Sequence, residues 1–220
     1  MRQFLKQHGL AIAMFGIFFV ALVGMSFSGW SSHNEHLTEH SQAIISFGEY
    51  LRGGEFIEAV FENWESEFLQ MWALVILTVF LYQKGSIDSK PLRGKIPQDA
   101  GSRLSIINAH DWRKKVKALR HGLYAHSLGA ALLLLFLASF TLHAAGGVKA
   151  YNEEALRHDQ PAMNIGEYVV SSQFWFESFQ NWQSEFLAVG VLLVLSIYLR
   201  ERGSQQSKPV GKKYDEKTGE

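Results

Sequence analysis

ENWESEFL, residues Glu62 to Leu69, and QNWQSEFL, residues Gln180 to Leu187, are nearly the same string. Each opens onto an apolar run: FLQMWALVILTVFLY after the first (Phe68 to Tyr82) and FLAVGVLLVLSIYL after the second (Phe186 to Leu199). Two further runs stand upstream. Leu10 to Phe27 carries no charge, and Leu123 to Ala145 holds only His126 and His143 as ionisable groups. A bilayer core of ~30 Å takes about 20 helical residues. The first and third runs meet that length. The second and fourth meet it only if Trp64 and Trp182 already lie in the headgroup layer, where tryptophan is enriched. The expectation is an all-α membrane protein with four transmembrane helices, at about 10–27, 66–83, 122–145 and 184–200.

The 220 residues carry no net formal charge, but the charges are segregated. Residues 28–67 hold one basic residue, Arg52, and eight acidic ones; residues 146–185 hold two basic and six acidic. Residues 83–122 hold ten Lys/Arg against three Asp, the stretch after Leu199 adds six Lys/Arg, and the N-terminus adds two. Basic segments stay on the cytoplasmic side. Both termini and the central segment are therefore expected inside, and the two acidic segments outside. Arg2 and Lys6 resemble a signal-peptide n-region, but the apolar core is long and no A-x-A site follows, so the first run is read as a retained helix. The basic charges being accounted for by topology, nucleic acid is not expected as a partner. Within the central segment, Leu104, Ile107, Trp112, Val116 and Leu119 fall at mostly helical spacing among basic residues. That pattern fits an amphipathic helix on the anionic inner leaflet, and equally a plain topogenic flank.

The repetition extends far beyond the opening string. At a shift of 118, Gly48-Glu49-Tyr50 matches Gly166-Glu167-Tyr168, and Gly85, Ser86, Ser89, Lys90 and Pro91 match Gly203, Ser204, Ser207, Lys208 and Pro209. At a shift of 113, His8-Gly9-Leu10 matches His121-Gly122-Leu123, which implies five extra residues between the third run and the second GEY. The chain parses as repeat unit 1 (1–91, outer loop 28–67), a basic linker (92–118), repeat unit 2 (119–209, outer loop 146–185) and a tail (210–220). Two spans per unit give both units one orientation, the parallel arrangement about an axis along the membrane normal.

The paired N-W-x-S-E-F-L and G-S-x-x-S-K-P strings resemble a bacterial family of integral membrane proteins of unknown function, over nearly the whole chain. The resemblance implies a location in the bacterial cytoplasmic membrane. It implies no activity and carries over no catalytic residue.

Asn63, Ser66, Glu67 and Gln70 share one helical face, with Trp64 beside it; Asn181, Ser184 and Glu185, with Trp182, repeat it. Two readings fit. The face is a hydrogen-bonded clasp between helices at the outer interface, or Glu67 and Glu185 together hold a cation or proton. G-S-x-x-S-K-P reads as a helix stop, with Gly85 and Gly203 ending their helices and Pro91 and Pro209 preventing resumption. Ser86, Ser89, Lys90, Ser204, Ser207 and Lys208 are also candidates for a lipid head group. His33, His36 and His40 lie at a spacing that suits a metal, but a solvated face explains them as well; no metal and no cofactor is predicted. His8 and His121 suit an interfacial role better than haem ligation. The chain has no cysteine and no nucleophile elbow, P-loop, HExxH or GxGxxG motif, so an enzyme is not expected, and a membrane-bound enzyme or redox subunit rests only on the scattered histidines. The expected function is a structural or partner-binding membrane component, touching lipid and either a protein partner or a second copy of itself. The alternative is a small cation or proton carrier or channel using the paired glutamates.

Overall fold

The computed structural model describes residues 2–91, 98 and 112–213, and among them the regular structure is helical, with no strand. The order is α1 (Arg2–Glu39), α2 (Phe47–Tyr50), α3 (Gly54–Phe80), α4 (Trp112–Ala125), α5 (Ser127–Arg157), α6 (Ile165–Val169) and α7 (Ser172–Tyr198). Among the described residues three helices are long and apolar enough to cross a membrane, α1, α5 and α7, and not the four expected. The exception is α3. It ends at Phe80, so its apolar stretch is 68–80, preceded by Glu65 and Glu67 and interrupted by Gln70. At 1.5 Å per residue that stretch reaches only ~20 Å. The third apolar run is divided at His126 between α4 and α5, where the Ser127 hydroxyl donates to Tyr124 O at 2.8 Å and competes with the helix ladder. Of the expected amphipathic helix at 103–120, residues 103–111 lie outside the described residues. Val116 and Leu119 are on α4 and exposed.

The described chain falls into two compact units, residues 1–61 with 142–171 and residues 62–141 with 172–220. The first is organised by its turns. α1 closes with Ser41 at φ 58 and Gln42 N–H donating to Leu37 O at 2.8 Å; α5 closes with Asp159 at φ 51 and Gln160 N–H donating to Ala155 O at 2.8 Å. This is the left-handed Schellman closure of a helix C-terminus. Asn34 then donates to Ile45 O and accepts from Ile45 N–H (3.1 and 2.9 Å), and Asn152 does the same with Met163 (2.9 and 2.9 Å). Each amide satisfies both polar groups of one returning residue. Capping boxes follow, Ser46 with Glu49 and Asn164 with Glu167, and start α2 and α6. Tyr50 and Tyr168 are buried against Gly29 and Gly147, where a Cβ would overlap the tyrosine hydroxyl.

Every one of these pairs is separated by 118 residues. The correspondence already holds at Gly29 and Gly147, so the five extra residues enter earlier than the sequence reading placed them, inside the apolar run itself. The first turn of α3 and the middle of α5 approach backbone to backbone. A Cβ on Gly54 would strike Ala150 N and Gly146 O, and one on Gly146 would strike Glu58 N. Small residues permit this approach.

The second unit is built on aromatic packing. Trp182 lies among Phe136, Trp175 and Phe179, with ring centroids 6.5, 6.1 and 5.5 Å away. Phe140 meets the fully buried Phe174 edge-on at 5.2 Å. Edge-on geometry is the favoured arrangement of such rings.

Candidate functional site

The opening strings differ at two positions, Glu62 against Gln180 and Glu65 against Gln183. Each of those two glutamates receives a hydrogen bond from α7. Trp182 Nε1 donates to Glu65 Oε1 at 3.0 Å, and Asn181 Nδ2 donates to Glu62 Oε1. Glu65 is 0% exposed, whereas its counterpart Gln183 is exposed and bonds only to Gln180 O of its own helix, at 3.1 Å. A carboxylate accepts only, and an indole N–H donates only. In these two bonds the acceptors lie on α3 and the donors on α7. A hydrogen bond to a charged acceptor is about twice as strong as a neutral one.

The residues singled out from sequence divide. Asn181 and Trp182 are in the clasp. Ser66 is buried, but its hydroxyl donates to Asn63 O at 2.8 Å, and Ser184 donates to Asn181 O at 2.8 Å, so both serines bond within their own helices. Asn63 and Glu67 are exposed, while Trp64 and Glu185 are half-buried. Glu67 and Glu185 are near enough for their charges to interact. Glu62 and Glu65 were not singled out from sequence. The signal for them was present, as the two letters that change within otherwise matching strings.

In the first unit, Tyr168 OH donates to Glu58 Oε1 at 2.8 Å, and a nitrogen of the fully buried His143 lies within 4.8 Å of that carboxylate. Residues of the same unit line an open cavity of about 340 Å³, among them His33, Glu49, Glu55, Lys149 and Glu153. His33 Nδ1 is 2.5 Å from Glu55 Oε2, and Lys149 donates to Arg52 O. Burial first, and then the Glu55 charge, push the Tyr50 phenol above its ordinary range. The three loop histidines take separate roles: His33 turns to Glu55, while His36 and His40 lie ring against ring at 4.4 Å.

The two G-S-x-x-S-K-P segments lie in the second unit and close on themselves alike. Gly85 and Gly203 have φ 83 and 86, but they stand beyond Phe80 and Tyr198 and do not cap the helices. Ser89 Oγ accepts from Gln83 N–H at 2.7 Å and Ser207 Oγ from Glu201 N–H at 2.8 Å; Ser86 and Ser204 accept from Asp88 and Gln206 N–H, both at 3.1 Å. Ser86 and Ser89 are buried, as is Lys208, while Lys90 is half-buried. At the end of α7 the cation on the carbonyls is Arg200, bonded to Ile197 O (3.0 Å) and Leu199 O (2.7 Å).

A family profile described as Domain of unknown function (DUF6766) matches residues 1–220. The chain belongs to this family. No curated protein and no solved structure matches it. The family description assigns no chemistry to DUF6766, so the geometry above carries the functional reading.

Proposed function

We propose that this DUF6766 protein is an integral membrane protein of the bacterial cytoplasmic membrane with a structural or partner-binding role. Its two helix–loop–helix copies are joined by a fixed polar clasp. The observation that carries this reading is the pairing of Glu62 and Glu65 with Asn181 and Trp182. All four groups are engaged with one another, which suits a joint better than a pathway. Support for the membrane comes from α1, whose Leu10, Met14, Phe15, Ile17, Phe19 and Val20 are all exposed. Apolar side chains exposed around a whole helix have no counterpart in water. The basic segments are placed at the cytoplasmic face and the acidic ones opposite. Partners are lipid and either a second copy or another protein.

The test separates the clasp from ion carriage. Purified protein is reconstituted into liposomes, and cation and proton flux is followed for the parent and for Glu67→Gln combined with Glu185→Gln. The structural role expects no flux above empty liposomes from either protein, and unchanged melting of the double variant in detergent. Flux in the parent that disappears in the double variant would replace this reading with a carrier.

A further inference from the structure

The ends of α1 and α5 belong to the same compact unit and close alike, in the Schellman turns at Ser41 and Asp159. Just before each closure stands a pair of residues four apart. On α1 the pair is His36 and His40; on α5, 118 positions later, it is Glu154 and His158. Residues four apart on a helix are neighbours on one face, and two imidazoles so placed can share one metal ion. His40 N–H donates to His36 O at 3.2 Å, so the helical turn that spaces the first pair is intact. All four residues are exposed, and Glu154 is near enough to His36 for their charges to interact, so the two pairs share one surface.

The hydrogen bonds decide which ring nitrogens are open. The rings of His36 and His40 lie 4.4 Å apart. His40 Nδ1 is 2.9 Å from His36 O. A carbonyl only accepts, so Nδ1 carries the proton and, in the neutral ring, Nε2 keeps the lone pair. His158 Nε2 donates to Glu154 Oε1 at 2.8 Å, which in the neutral ring leaves the lone pair on Nδ1. Among the described residues, neither ring nitrogen of His36 has a hydrogen bond. Metal-binding histidines are held in this way, with one N–H on a carbonyl or carboxylate and the other nitrogen on the ion. Arg157 Nη1 takes Glu154 Oε2 at 3.2 Å, so this carboxylate orients His158 and is not counted as a ligand. The sequence spacing groups His33 with His36 and His40, but His33 is turned to Glu55, and the end of α5 supplies the third imidazole instead.

We infer that the ends of α1 and α5 form a surface site for a divalent transition-metal ion, zinc or copper, chelated by His36 and His40 with His158 as the third ligand. Exposed side chains change rotamer within nanoseconds, which lets His158 close on an ion held by the other two. Three imidazoles suit Zn²⁺ or Cu²⁺ and leave a position for water. They do not suit Ca²⁺ or Mg²⁺, which take oxygen ligands. The site shares no residue with the clasp and stands apart from the reading built on it.

The full chain, purified in detergent without a polyhistidine tag and stripped by a chelator, is titrated with Zn²⁺ in competition with a chromogenic chelator. Melting is followed with and without the ion. The variants are His36→Ala, His158→Ala and His33→Ala; where alanine lowers the metal-free melting temperature, glutamine at the same position repeats the test. The parent and His33→Ala should bind Zn²⁺ alike and melt higher with it, and Mg²⁺ should give no such shift. His36→Ala and His158→Ala should each bind roughly tenfold or more weakly. With Cu²⁺, electron paramagnetic resonance should show three nitrogen ligands in the parent and two in His158→Ala. No Zn²⁺ binding by the parent, or parent affinity in His36→Ala, overturns the site. Parent affinity in His158→Ala overturns the joining of the two helix ends, and a loss in His33→Ala equal to that in His36→Ala overturns the choice of ligands.

Discussion

At the scale of single residues, the informative positions are those where the two copies differ. Glu65 and Gln183 occupy aligned places, yet one is buried beneath an indole N–H and the other faces outward. Glu65→Ala leaves the part-buried Trp182 donor without its acceptor, so a loss of ~1–3 kcal/mol is expected. Gln183→Ala should stay within about 0.5 kcal/mol of the parent, as exposed substitutions do. Thermal or denaturant unfolding in detergent measures both, and equal effects would remove the clasp as a stabilising feature. Sequence spacing selected Glu67 and Glu185 because they match. It passed over Glu62 and Glu65 because they do not match, and the mismatch marks the positions without saying which partner each carboxylate meets. Glu58 and His143 went unpaired in the reading for a related reason: 85 positions separate them, and only packing makes them neighbours.

At the scale of elements, the acidic segments around residues 40–53 and 158–171 owe their shape to local bonds that recur. The Schellman turns at Ser41 and Asp159 place non-glycine residues at positive φ, a conformation that costs an L-residue about 1–2 kcal/mol. Glycine removes that strain but loses more entropy on folding. Ser41→Gly and Asp159→Gly should therefore each stabilise the protein by roughly 0.5–1 kcal/mol. A melting temperature that falls in both variants would mean that the side chains make contacts worth more than the strain. Helical character before the second apolar run is legible in the spacing of Phe56, Ile57, Val60 and Phe61, and the structure runs α3 through them from Gly54. The end of α3 was not legible. An apolar run continues through Leu81 and Tyr82, but the helix stops at Phe80, before the Gln83–Ser89 closure draws the chain into its turn. This is why a run already short in the sequence becomes a helix with a still shorter apolar stretch.

At the scale of the whole molecule, sidedness is the property that charge alone predicts. The chain has no cysteine, so single cysteines placed at the exposed Ser32 and Gln205 report their side without background. In intact cells or spheroplasts, an impermeant maleimide should label Ser32→Cys, and Gln205→Cys only after lysis. The opposite pattern, or labelling of both before lysis, would refute the charge-based placement. Composition and periodicity by themselves determined that the chain is helical, apolar in long segments and marked by strings that recur at a fixed shift, because these are properties of consecutive letters. Tertiary structure alone decided which letters of the duplicate act. It buried Glu65 and left Gln183 in the open, and seated Tyr50 and Tyr168 on Gly29 and Gly147. The physical reason is that burial and hydrogen-bond direction belong to pairs of surfaces in contact, and a repeat in sequence does not say which of its two copies will present the acceptor.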